Sequence, residues 1–123
     1  MIPQLKGLYQ DATPGRVTAT ADVAAGDVVA PAGRVGVSIA DAATGEDFIA
    51  VFGTDIHGIE MPHAAVACAR HADAYWDADG NPVGGVAGSG AVTNVATANT
   101  RIGRFAEDAA AGDGVAVVEL TNS

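Results

Sequence analysis

Cations are the scarcest feature of this 123-residue chain: six Lys and Arg stand against 15 Asp and Glu, a formal net charge of −9. Binding nucleic acid requires a basic stripe that displaces counterions from phosphates, and six scattered cations do not make one. An anionic membrane is excluded as a partner on the same ground. Cysteine is nearly absent. The single Cys68 rules out an internal disulfide framework and a cysteine-based zinc site, and it fits a reducing compartment. No apolar run approaches the roughly 18 residues of a membrane span. Residues 1–10 lack the basic and apolar regions of a secretory signal. Aromatics are 5% of the chain while hydrophobic residues are 49%, so Ala, Val and Gly must fill the core. Such a core buries little area per residue, and self-association would bury more.

What the chain does have is strand–turn–strand patterning. Residues 101–120, RIGRFAEDAAAGDGVAVVEL, read as two strands joined by a tight turn at Ala110-Ala111-Gly112-Asp113-Gly114, with Ile102, Phe105, Val115, Val117, Val118 and Leu120 apolar. Residues 34–51, RVGVSIADAATGEDFIAV, repeat the pattern. Arg34-Val35-Gly36 matches Arg101-Ile102-Gly103, Ile39-Ala40-Asp41 matches Phe105-Ala106-Glu107, and Gly45-Glu46 matches Gly112-Asp113. The offset is 67 at Arg34, 66 at Ile39 and 67 at Gly45. A duplicated hairpin explains this; two unrelated Ala/Gly-rich hairpins would look similar, and the hairpin assignment holds either way. The expectation is an all-β fold in one domain, residues 16–123.

Residues 1–15 have no clean period but carry Ile2, Leu5, Leu8 and Tyr9. They read either as an arm that docks on a partner or as a first strand lying on its own domain. Residues 16–21 alternate as a strand, 22–26 turn, 27–30 form a short strand and 31–33 turn again. A further strand is expected over 53–62, and one or two helical turns over 62–70, where Pro62 precedes an Ala-rich body. Tyr75 and Trp76 are neighbours and in a strand face opposite sides, one toward the core and one toward a surface or interface. Residues 77–82 are a turn, and the uncharged, Gly/Ala-rich 84–99 reads as a loop or a flat, weakly specified strand pair.

The chemistry-bearing residues form no recognised pattern. Residues 77–81, DADGN, start like a calcium loop, but the position that needs a bidentate Glu is Gly88. His57, His63 and His71 have neither helix nor strand clamp spacing, so no metal or cofactor is expected. Cys68 with His71 is a conceivable nucleophile pair, but a buried, inert Cys is the simpler reading. The three Gly-Asp or Gly-Glu turns, Gly26-Asp27, Gly45-Glu46 and Gly112-Asp113, read as reused hairpin chemistry rather than as a repeated binding site.

Several segments carry a resemblance when taken in order: Ala25-Gly26-Asp27-Val28-Val29, Val35-Gly36-Val37-Ser38-Ile39-Ala40 with Gly45-Glu46, Ala72-Asp73-Ala74-Tyr75-Trp76-Asp77, and Asn99-Thr100-Arg101-Ile102-Gly103 followed by Ala111-Gly112-Asp113. Over residues 22–120 the chain resembles the small capsid cement or head decoration proteins of tailed phages. It departs from them at Ala72-Asp73, where Gly-Asp is usual, and in a longer loop at 84–98. The resemblance implies a small β-barrel or β-tulip-like domain, a homotrimer made in the host cytoplasm and seated on the outer face of an icosahedral head. It would bridge neighbouring major capsid proteins, with no enzymatic activity. Ile2, Leu5, Leu8 and Tyr9 would then be the arm's capsid anchors, and Tyr75 and Trp76 interface or core aromatics. Two other readings are an exposed glycan- or host-binding module of the virion, with Tyr75 or Trp76 as stacking platform, and a small hydrolase or metal enzyme using Asp55, His57 and His63.

Overall fold

The computed structural model describes residues 13–31, 34–54 and 56–121, so the arm anchors Ile2, Leu5, Leu8 and Tyr9, and Asp55, lie outside the described residues. Among the described residues nine strands form two sheets. The first contains β1 (Thr13–Thr18), β2 (Val28–Val29), β3 (Gly36–Ser38) and β4 (Asp47–Gly53), ordered β1-β4-β3-β2. The second contains β5 (Ile59–Pro62), β6 (Asp73–Asp77), β7 (Ala91–Thr93), β8 (Thr100–Phe105) and β9 (Val115–Leu120), ordered β5-β9-β8-β6-β7. Every ladder is antiparallel, and the described residues contain no α-helix. The fold is therefore all-β, as expected.

It is not a closed barrel. The second sheet curls until His63, just past β5, bridges Val92 of β7, but that contact is one isolated parallel bridge and not a ladder. Other local expectations also change. Residues 62–70 form no helical turn: the segment is too short to nucleate one, and its amides go elsewhere, Ala64 to the Val92 carbonyl at 3.0 Å and Cys68 to that of Ala109 at 2.8 Å. The strand expected over 53–62 breaks between β4 and β5, where Gly58 turns the chain with a φ of +74°. β1 begins at Thr13, inside the stretch read as an arm or a first strand, and β7 lies inside the stretch read as a loop or a flat strand pair. The link between β8 and β9 is longer than its tight turn: residues 106–109 first run out to pair Ala109 with Cys68, and the expected turn follows, the Asp113 amide bonding the Ala110 carbonyl at 3.0 Å.

The duplication extends well past the hairpin. β1 pairs with β4 through Pro14↔Val51, Gly15↔Ala50, Arg16↔Ile49 and Val17↔Phe48. β5 pairs with β9 through Ile59↔Val118, Glu60↔Val117, Met61↔Ala116 and Pro62↔Val115, the same register displaced by 45 residues on one strand and 67 on the other. Val28↔Val37 and Val29↔Gly36 likewise become Asp73↔Arg104 and Ala74↔Gly103 under the same two displacements. The strand order β1-β4-β3-β2 thus recurs as β5-β9-β8-β6. The two displacements differ because the second half carries extra chain between β6 and β8, and β7 belongs to it.

Turns of one sequence hold both halves. Asp22-Val23-Ala24-Ala25-Gly26-Asp27, Asp41-Ala42-Ala43-Thr44-Gly45-Glu46 and Asp108-Ala109-Ala110-Ala111-Gly112-Asp113 share a pattern. In each, the last carboxylate accepts the amide three residues back: Ala24 to Asp27 at 2.9 Å, Ala43 to Glu46 at 2.7 Å, Ala110 to Asp113 at 2.9 Å. The first two turns face each other about a local two-fold. Val23 and Ala42 exchange both backbone bonds at 2.8 Å; Asp41 accepts from the Ala25 amide, and Asp22 from the Thr44 amide and hydroxyl. The third turn faces residues 67–72 in the same way: Cys68 and Ala109 exchange backbone bonds at 2.8 Å, and Asp108 accepts from the Arg70 amide. Residues 67–72 are thus a fourth, eroded copy. Its Ala72 amide bonds the Ala69 carbonyl, and His71 holds a φ of +72° where Gly26 and Gly45 hold +96° and +89°.

Small side chains fill most of the interior, as the composition requires. The main cluster lies under the second sheet and takes in Ile59, Met61, Trp76, Ile102, Phe105 and Leu120, with Val35, Val37 and Val51 of the first. A second cluster packs Phe48 and Phe52 with Ala19, Ala42 and Ala50. The first sheet is therefore lightly built: its large buried side chains are the two Phe rings.

Candidate functional site

Trp76 alternates with Ala74 toward the core along β6; its ring is 9% exposed and lies against Gly90, where even a Cβ would overlap it. Tyr75, between them, is half-buried and pairs with Thr93 and Arg101 on the neighbouring strands. Trp76 is therefore largely a core aromatic with little surface to offer a sugar, and of this pair Tyr75 keeps more surface for a partner.

The histidines do not converge. His57 and His71 are exposed, while His63 is fully buried. Among the described residues no three His, Cys, Asp or Glu side chains are grouped to hold a metal. Cys68 meets His63, with Sγ 3.6 Å from Nε2, rather than His71. The other ring nitrogen of His63 lies 2.9 Å from the Asp113 carbonyl oxygen, which can only accept, so Nδ1 carries a proton; the thiol sulfur lies 3.6 Å from both His63 Nε2 and the Val66 carbonyl oxygen, to which it donates. Burial pushes the Cys68 thiol pKa up and keeps it protonated. A buried thiol held neutral is a poor nucleophile, and this pair is a structural clasp between the 63–68 bend and the third turn. Its spacing in sequence, five residues, carried no such signal.

The surface chemistry that remains is apolar. Ile56 and Val86 are each more than 70% exposed, and Val115 is half exposed. Val86 and Val115 border a groove of about 530 Å³ between the β5–β9 edge and the 82–86 turn, with Met61, Pro62, Pro82 and Val83 along its walls. Glu60 is the charged residue in that lining. A second cleft, about 390 Å³, opens in the first sheet between the end of β1 and β2, with Phe48 in its lining. The described cations are largely spoken for: Arg101 pairs with Asp73 at 3.1 Å, Arg16 reaches Asp47 at 4.0 Å, and the Arg34 guanidinium sits 5.0 Å over the Phe52 ring.

Fold and surface together define a small all-β protein that exposes apolar side chains and a groove on an acidic chain. The comparison with known families is more specific: the family model described as phage cement protein matches residues 9–120, and the chain belongs to that family. That membership makes it a structural protein of the phage virion, associated with the capsid. No curated protein and no solved structure matches the chain.

Proposed function

We propose that this protein binds the outer face of an icosahedral tailed-phage head as a homotrimer, made in the host cytoplasm, and bridges neighbouring major capsid proteins. The observation that carries the reading is the set of exposed apolar side chains, Ile56, Val86 and Val115, on a chain of net charge −9 within the cement family. Apolar contact with rim electrostatics is how an acidic protein adheres to one chosen surface and is kept off others. The arm, read as residues 1–15, adds anchors at Ile2, Leu5, Leu8 and Tyr9, which would extend along a capsid sheet edge; the domain over 16–123 provides the body, the Gly/Ala-rich 84–99 segment within it. Many modest contacts repeated over a shell then sum to resistance against the pressure of packaged DNA.

The experiment is to add the purified protein to heads assembled without it. Saturable binding at hundreds of copies per head supports the reading, and a handful of copies points instead to a fibre or tail component. Deleting residues 1–9 is expected to abolish binding; full binding by the shortened chain would remove the anchor assignment and leave the body as the adhesive part.

A further inference from the structure

The duplication shows what belongs in the cleft of the first sheet. Its lining runs along 17–23 on one side and 27–31 on the other, with Phe48 between them. Displaced by 45 residues, those walls become 62–68 and 72–76, and Phe48 becomes Val115 under the displacement of 67. In the second half that space is occupied. β7 lies in it, bridging His63 on one side and pairing with Tyr75, Trp76 and Asp77 on the other, with Ala91 and Val92 fully buried. Among the described residues the first half has no strand between β2 and β3 to do this, and none fills its cleft of about 390 Å³.

We propose that this cleft receives an extended segment of the capsid protein, which fills the first half as β7 fills the second. The inference rests on the cement reading and names the place of contact. Three features define the occupant. The walls are small and apolar, Val17, Ala19, Val23, Val28 and Val29 over Phe48, so the segment presents small or β-branched side chains like the Ala-Val-Thr of β7. Hydrogen bonding is thinner than in the second half, because Pro31 has no N–H and the Ala19 amide is already given to the Glu46 carbonyl at 2.8 Å; side-chain burial does most of the holding. Asp22 and Asp27 are the charged groups of the lining, with no Lys or Arg, so the entering segment is neutral or basic. That argues against a second copy of this acidic chain.

Ala21 and Ala30 line the cleft and are exposed, so Ala21→Trp and Ala30→Trp fill it without touching the core. Each is expected to weaken binding to heads lacking this protein by about tenfold or more. Ala111→Trp, on the exposed third turn, is expected to bind like wild type. Amide exchange over 17–23 and 27–31 is expected to slow when the protein is on heads. Wild-type affinity in both cleft variants would overturn the inference. So would protection of the same amides in the free protein that rises with concentration, which marks a second copy, or that falls on deleting residues 1–12, which marks the chain's own segment. Wild-type protein that ignores heads would overturn the cement reading itself, a result distinct from failure of the cleft variants alone.

Discussion

Replacing His71 with glycine should stabilise this protein, although it loosens the unfolded chain. His71 sits at φ +72°, in the place that Gly26 and Gly45 occupy in the intact turns. A left-handed residue with a Cβ costs about 1–2 kcal/mol, and an added glycine costs about 0.5–1 kcal/mol in unfolded-state entropy. The net gain expected for His71→Gly is therefore about 0.5–1 kcal/mol. The opposite change at an intact turn supplies the control. A Cβ on Gly45 would meet no atom within 4 Å, so Gly45→Ala suffers the backbone strain alone and should lose about 1 kcal/mol. Urea unfolding followed by circular dichroism resolves both, and thermal midpoints should move by about 3–5 °C per kcal/mol for a domain of this size. A destabilised His71→Gly variant beside an unaffected Gly45→Ala would refute the claim that residues 67–72 are a fourth copy of the turn.

Gly103 tests the packing of the hairpin: a Cβ there would overlap the Glu119 carbonyl oxygen on the adjacent strand, so Gly103→Ala should cost about 3 kcal/mol or more, or leave no folded protein in a solubility and dichroism assay. Asp22 tests the paired turns through pH. The Thr44 amide and then its hydroxyl hold the Asp22 carboxyl below the ordinary 3.8. Its contribution is then complete above that ordinary value and lost as pH falls through the lowered one, so Asp22→Asn should flatten the acid limb of a stability–pH profile, and an unchanged limb would count against the turn pairing. Cys68 should resist a thiol reagent at neutral pH until the chain is unfolded, and prompt labelling of native protein would show that the His63 clasp opens.

The all-β class, the hairpin of β3 with β4 and that of β8 with β9 were readable because alternating apolar residues and Gly-Asp turns are local signals. The full duplication was not. Its first half aligns at a displacement of 45 and its second at 67, so a search at one offset finds only the hairpin. The eroded turn at 67–72 was hidden because His71 replaces the expected glycine, and backbone pairing with 108–113 takes up the amides that a helix over 62–70 would have needed. β7 was obscured by its neighbours: three buried residues between Gly90 and Asn94 carry too short a period to stand out, and what places them is the space between β5 and β6. The Cys68–His63 clasp and the apolar cleft arise from long-range packing, to which residue spacing is blind. The edge and groove residues Val86 and Val115 look like any other valines until their exposure is known.

Adhesion to the head is read from the disruption temperature of heads lacking this protein, with and without a saturating amount added back. The account predicts a clear rise that saturates together with binding and shrinks for the Ala21→Trp variant. Bound protein that leaves the disruption temperature unchanged would contradict it.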